Sequence, residues 1–213
     1  MSQNKSGEKC MQPPVAPTLT WLVTAVLAEL PVLADDDTEL VRLAQQDLRK
    51  FTDLYERYVQ RVYRYLLVRT GNVADAEDLT SQTFMAAMES LHQYQGQRPF
   101  PAWLIGIAKN KTADFYRQHK PEADLETAVI LPTTDESPDD LVYQQLQIET
   151  ITRKLQAIAP DRAEAISLRL FASLEIPEIA RIMNKQEPAV RMLIHRGLRD
   201  LQTQLNPDWE ETT

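Results

Sequence analysis

Arg191, His195 and Arg199 stand four residues apart, which sets three polar side chains in one stripe along a helix. Arginine donates in a rigid fork that matches the O6 and N7 edge of guanine, and imidazole can donate or accept. Met192 beside them offers an aliphatic contact for a thymine methyl, and Arg196, offset from the stripe, suits a phosphate. Such side chains carry out no covalent chemistry. They can read and grip a duplex if a frame holds their helix against a groove.

The segment from Glu175 to Arg199 can supply that frame. Ile176, Ile179, Ala180 and Met183 recur at helical spacing, as do Val190, Leu193, Ile194, Leu198 and Leu201 on one side of a second helix. Between the two, Asn184 can take a left-handed turn, and Pro188 falls in a first turn, where its missing N–H costs nothing. The spacing predicts a helix-turn-helix, a frame that can seat a cationic helix in the major groove. Paired amphipathic helices also occur in all-helical proteins with no DNA role, so this pattern alone leaves both readings open.

Three further groups could do chemistry at a surface. Asp75, Glu77 and Asp78 fall in the first turn of a predicted helix, after Asn72 and Asp75 at capping-box spacing. They balance the helix dipole, and they can also present a face complementary to a basic partner. The stretch Gln93–Pro101, with one Gly and two Pro, must be a loop; its Tyr94, Gln97 and Arg98 suit an unstacked base, or the loop is a plain connector. Phe100 and Trp103 read as core. Asn110 and Arg117 lie two turns apart on the next helix, able to meet base edge and phosphate, or Arg117 simply pairs with Asp114 on a solvated face.

The elements that must position these groups are helical. The 213 residues hold only five Gly, and their apolar fraction of 43% suffices for packed cores. Leu48, Phe51, Leu54, Tyr55, Tyr58, Val62, Tyr65 and Leu66 follow the period of a long helix that stops at Gly71. A second helix carries Ala76, Leu79, Phe84, Met88 and Leu91. A third, from Ala102 to about His119, turns Trp103, Leu104, Ile107, Ala108 and Phe115 inward, and Lys109, Asn110, Asp114 and Arg117 outward. Ser137-Pro138-Asp139-Asp140 is a helix start, and Pro160 opens a further helix ending near Phe171.

The net charge of −8 is unevenly spread: residues 121–150 hold eight acidic side chains and no basic one, whereas the segments on either side are mildly basic. The expected organisation is all-α: an extension over 1–35, a helical domain over 36–119, an acidic linker over 120–136, a helix-turn-helix domain over 137–205 and an acidic tail over 206–213. The single Cys10 excludes an internal disulfide and suits a reducing compartment; the three scattered histidines lack metal spacing, and no phosphate loop or catalytic constellation is visible. No cofactor, metal or small-molecule substrate is expected. The apolar run from Leu19 to Leu33 is broken by Glu29 and Pro31 and is too short to span a bilayer. Trp21, Leu22, Val26, Leu27 and Leu30 within it make an apolar stripe expected to pack as a short helix on this chain or on a regulator.

Four segments, in order, resemble the small two-domain bacterial sigma factors of the extracytoplasmic-function type: Phe51-x-x-Leu54-Tyr55-x-x-Tyr58; Asp75-Ala-Glu-Asp-Leu-Thr-Ser-Gln-Thr-Phe84; Phe100 to Arg117; and residues 155–201 with Glu178-Ile-Ala180 and Val190-Arg191…His195-Arg196. The resemblance covers about residues 36–205. It implies a cytoplasmic specificity subunit, not an enzyme, that binds core RNA polymerase at its clamp and flap, recognises and melts promoter DNA, and answers to an anti-sigma factor. By the same resemblance Asp75, Glu77, Asp78, Leu79 and Gln82 meet core polymerase. Tyr94, Gln97, Arg98, Asn110 and Arg117 meet the −10 element, and Arg191, Met192, His195, Arg196 and Arg199 meet the −35 element. The competing classes are a stand-alone helix-turn-helix regulator and a sigma-like interaction protein, the latter prompted by Leu193, where many members carry a basic residue, and by the turn Asn184-Lys185-Gln186, where the family prefers a Gly and a Ser/Thr cap.

Overall fold

The structure is a computed structural model that describes residues 37–119 and 150–205. The extension, the linker, the helix start at Ser137 and the acidic tail lie outside the described residues. All described elements are helical: α1 (Thr38–Gln46), α2 (Phe51–Thr70), α3 (Val73–Ser90), α4 (Phe100–Gln118), α5 (150–156), α6 (Pro160–Ile166), α7 (Ile176–Met183) and α8 (Glu187–Leu205). Short 3-10 turns precede α2 and follow α3, and α6 runs on into a π-helical turn, Ser167–Phe171.

The helix boundaries follow from local chemistry. Gly71 closes α2 in the left-handed region (φ 71°), its N–H bonded to the Leu67 carbonyl at 2.8 Å. Asn72 then caps α3 by accepting from the Asp75 N–H at 3.1 Å. Only half of a capping box forms, because the Asn72 N–H goes to Thr70 Oγ1 at 3.4 Å. At the helix-turn-helix, Glu175 and Glu178 complete a full box, and Asn184 takes the left-handed turn (φ 52°, ψ 49°).

Both described segments belong to one compact unit, and their cores are continuous. Leu54, Tyr58, Tyr65, Leu66, Leu104 and Ile105 of the N-terminal segment join Leu168, Leu174, Ile179 and Val190 of the C-terminal one. A second cluster sets Val68, at the end of α2, among Leu155, Ile158, Ile166 and Leu201. On α3 the inward face differs from the apolar period. Thr80 and Thr83 are buried with their hydroxyls bonded to the Ala76 and Leu79 carbonyls, each at 2.7 Å, while Met88 faces outward. Tyr55 on α2 is likewise exposed, and Leu48, expected on the same stripe, lies in the 3-10 turn before α2 with its side chain in solvent. A threonine can enter a helical core because the carbonyl one turn back satisfies its hydroxyl.

Gly197 lets α8 lie directly on α6. A Cβ there would fall 2.6 Å from Ile166 Cδ1 and 3.1 Å from Arg162 Cβ. Gly197→Val is expected to lower unfolding stability by about 2–3 kcal/mol through overpacking. Gly197→Ala should cost less, since alanine regains about 1 kcal/mol of helix propensity. Urea titrations of the two variants, read by helical circular dichroism, check that order.

Candidate nucleic-acid interface

Helix α8 buries Val190, Gly197 and Leu201 and exposes Arg191, Met192, His195, Arg196 and Arg199. All five residues of the expected reading set therefore share the solvent side of one rigid helix. Among the described residues Arg191 is tethered by Glu187, one turn back at 3.3 Å, an exposed pair that a stronger acceptor can displace. The preceding helix α7 is held by Ile179 and Ala180 in the core, so α8 is presented from a fixed base.

A second polar surface surrounds the loop between α3 and α4. An open pocket of about 590 Å³ is lined by Val41, Gln45, Tyr94, Gln97, Arg98 and Phe100, among others. The Tyr94 ring stands edge-on to Phe100 (5.7 Å) and tilted against Trp103 (5.1 Å), and its hydroxyl donates to the Arg98 carbonyl at 2.6 Å. Gln45 fixes the loop base, donating to the Leu91 and Tyr94 carbonyls at 2.9 and 2.8 Å. Burial raises the Tyr94 phenol, and the Asp37 charge adds to this, so the hydroxyl stays a neutral donor. An aromatic wall, exposed amides and a guanidinium can together hold a planar base by stacking and edge bonding. Phe100 is buried and Trp103 partly buried, as core residues should be.

On α4, Asn110 and Arg117 face solvent, with Arg117 paired to Asp114. Lys109 does not face outward as expected. Its ammonium donates to the Ile182 carbonyl on α7 at 3.1 Å and lies 3.9 Å from Glu164, because the C-terminal segment packs over that side of α4.

The acidic face opens α3. Glu77 and Asp78 are exposed, and Gln82 donates to Asp78 at 2.7 Å. Asp75 is partly buried; that burial raises its carboxyl, with His119 opposing and Asp78 assisting. Leu79 is only 2% exposed, so it supports this face from beneath. Next along α3, Met85 (62% exposed) and Met88 turn their apolar side chains to solvent, although Met88 is expected on the apolar face; on α2 the exposed Tyr55 sets its ring 4.8 Å from Phe84. Outward methionines among core-type residues are detectable only once the inward threonines are known. No cluster of metal-ligating side chains occurs among the described residues, and none of their helices is long and apolar enough to cross a membrane.

Residues 54–122 match the sigma-70 region 2 family model, and residues 148–201 match that for sigma-70 region 4. The chain is 36% identical over 184 residues to the ECF RNA polymerase sigma factor BldN of Streptomyces coelicolor, a match covering 82% of this chain and 69% of that protein. It is 29% identical over 154 residues to the ECF RNA polymerase sigma factor SigM of Bacillus subtilis, covering 72% of this chain and 94% of that one. Among solved structures, CnrH in complex with the cytosolic domain of CnrY shares the fold with a TM-score of 0.65 at 24% identity, covering 82% of this chain and 99% of that chain. RpoE of Bartonella quintana, solved with the anti-sigma factor NepR, does so with a TM-score of 0.60 at 20% identity, covering 75% and 99%.

Proposed function

This chain belongs to the extracytoplasmic-function sigma factors of RNA polymerase, and we propose that it divides promoter engagement among three faces of its own. As a member of that family it binds core RNA polymerase and directs transcription initiation at promoter DNA. The exposed stripe Arg191, Met192, His195, Arg196 and Arg199 reads the −35 element. The pocket of Tyr94, Gln97 and Arg98, with Asn110 and Arg117 along α4, takes the melted −10 strand. Glu77 and Asp78, with Asp75, Leu79 and Gln82 around them, meet core polymerase. The observation that carries this reading is the outward display of all five α8 side chains on a buttressed helix-turn-helix.

The bounds 36–119 and 137–205 serve as the two working domains. The chain acts in the cytoplasm, without enzymatic chemistry of its own, and an anti-sigma factor controls it. The complex solved for RpoE with the anti-sigma factor NepR supports that last point. Run-off transcription from genomic fragments with purified core polymerase tests the reading: transcripts that appear only when this chain is added support it, and their absence refutes it.

The two arginines of α8 separate reading from gripping. Arg191→Ala is expected to cost about 1–3 kcal/mol and relax preference at one −35 position. Arg196→Ala should weaken binding evenly across sequences and flatten its salt dependence, as loss of one phosphate contact does. Equal losses on every sequence for both variants would mean the reading face is misassigned.

A further inference from the structure

Glu164 is an acid buried where the two segments meet, at 9% exposure. Its partners among the described residues come from the N-terminal segment. Tyr65 donates to it at 3.2 Å, Arg69 lies at 3.3 Å and Lys109 at 3.9 Å. Around this carboxylate the contact is extensive. Arg61 of α2 donates to the Ala172 and Ser173 carbonyls just after the π-helical turn, and Lys109 donates to the Ile182 carbonyl. Gly71 approaches α5 so closely that a Cβ would stand 2.8 Å from Thr152 Cγ2.

This arrangement is incompatible with simultaneous engagement of two promoter elements. Elements at −10 and −35 lie about 25 base pairs apart, on the order of 80 Å of duplex at 3.4 Å per pair. Here α4 touches α7 directly, and α8, at about 1.5 Å per residue, is roughly 28 Å long. No point of α8 can reach the second element while Asn110 sits at the first. The two segments must part before the promoter is bound.

We propose that Glu164 is an internal phosphate mimic that bolts the factor closed, occupying Lys109 and Arg69 until core polymerase draws the two domains apart. This rests on the sigma-factor reading above. A carboxylate suits a reversible bolt. Buried among two cations and a phenol it is satisfied, and on opening it is solvated without cost, whereas an aliphatic side chain there would weld the interface. Opening also releases two cations close to the candidate −10 surface. The closed form therefore competes with DNA for the same charges.

A reversible cross-link tests the idea in the full chain. A Cβ at Gly71 would lie 3.7 Å from Thr152 Cβ, within the span of a disulfide. In Cys10→Ser/Gly71→Cys/Thr152→Cys, oxidation should lock the closed form and abolish run-off transcription with core polymerase, and reduction should restore it. Position 71 is left-handed, so the cysteine there is strained and the yield of cross-link is read first on the oxidised chain; a cross-linked form as active as the reduced one overturns the proposal. Opening variants give a readout independent of polymerase. Glu164→Gln and Arg61→Ala should each bind a fluorescein-labelled oligo(dT) about threefold tighter or more, because the competent fraction rises. The Arg61 variant is diagnostic in sign: losing a cation alone would weaken binding. Unchanged or weaker binding by both variants overturns the bolt. If the wild-type chain supports no transcription with core polymerase, the sigma-factor reading fails instead, and the two failures are distinct.

Discussion

Reversing Glu77 and Asp78 to lysine should lower the affinity of this chain for core polymerase at least about tenfold, or about 1.4 kcal/mol. Both carboxylates are exposed at the start of α3, so neither substitution opens a cavity. Each reversal also places a cation at a helix N-terminus, which costs about 0.3–1 kcal/mol of stability. Helical circular dichroism and a denaturation curve separate that cost from the binding loss. Opposite charges at an exposed interface act mainly on encounter. The association rate should fall more than the dissociation rate rises, and the deficit should shrink as salt increases. Asp75 is a poorer probe, because it is partly buried and a lysine there would change burial along with charge. Unaltered affinity in the Glu77→Lys/Asp78→Lys chain would place the polymerase contact elsewhere, with Met85 and Met88 the next surface to test.

Features set by local chemistry were legible in the sequence. The stop at Gly71, the Asn72 cap, the left-handed Asn184 and the outward α8 stripe each follow from a few neighbouring residues, and the structure shows all four. Boundaries shifted slightly: α4 begins at Phe100 rather than Ala102, since Pro101 fits a first turn. The helix opened by Pro160 keeps its α form only to Ile166 before the π-helical turn. What stayed hidden depends on long-range contact. Glu164 sits in a segment with Asp161 and Arg162 and looks like another surface charge. Its burial is decided by Tyr65 and Lys109, ninety-nine and fifty-five positions away. For the same reason Lys109 cannot be told from Asn110 by period alone, although one is taken by the C-terminal segment and the other faces solvent. Periodicity reports that a helix has two faces and says nothing of a third surface claimed by a distant element.

Tyr94→Ala is expected to reduce promoter opening about 10- to 100-fold, which corresponds to the 1–3 kcal/mol typical of one base stacked on an aromatic ring. The ring is placed for that role: it packs on Phe100 and Trp103 and forms one wall of the pocket that Gln97 and Arg98 also line. Its hydroxyl does separate work, tying the loop to the Arg98 carbonyl at 2.6 Å. Tyr94→Phe keeps the ring and removes the tie, so it should lose only about 0.5–1.5 kcal/mol, the net worth of one hydrogen bond. Permanganate reactivity of promoter thymines measures opening, and core-polymerase affinity serves as the control, because Tyr94 lies away from the acidic face of α3. A Phe variant as impaired as the Ala variant would assign the effect to loop geometry. An Ala variant that opens promoters like the wild type would remove this pocket from the melting step and leave Asn110 and Arg117 as the remaining contacts for the −10 strand.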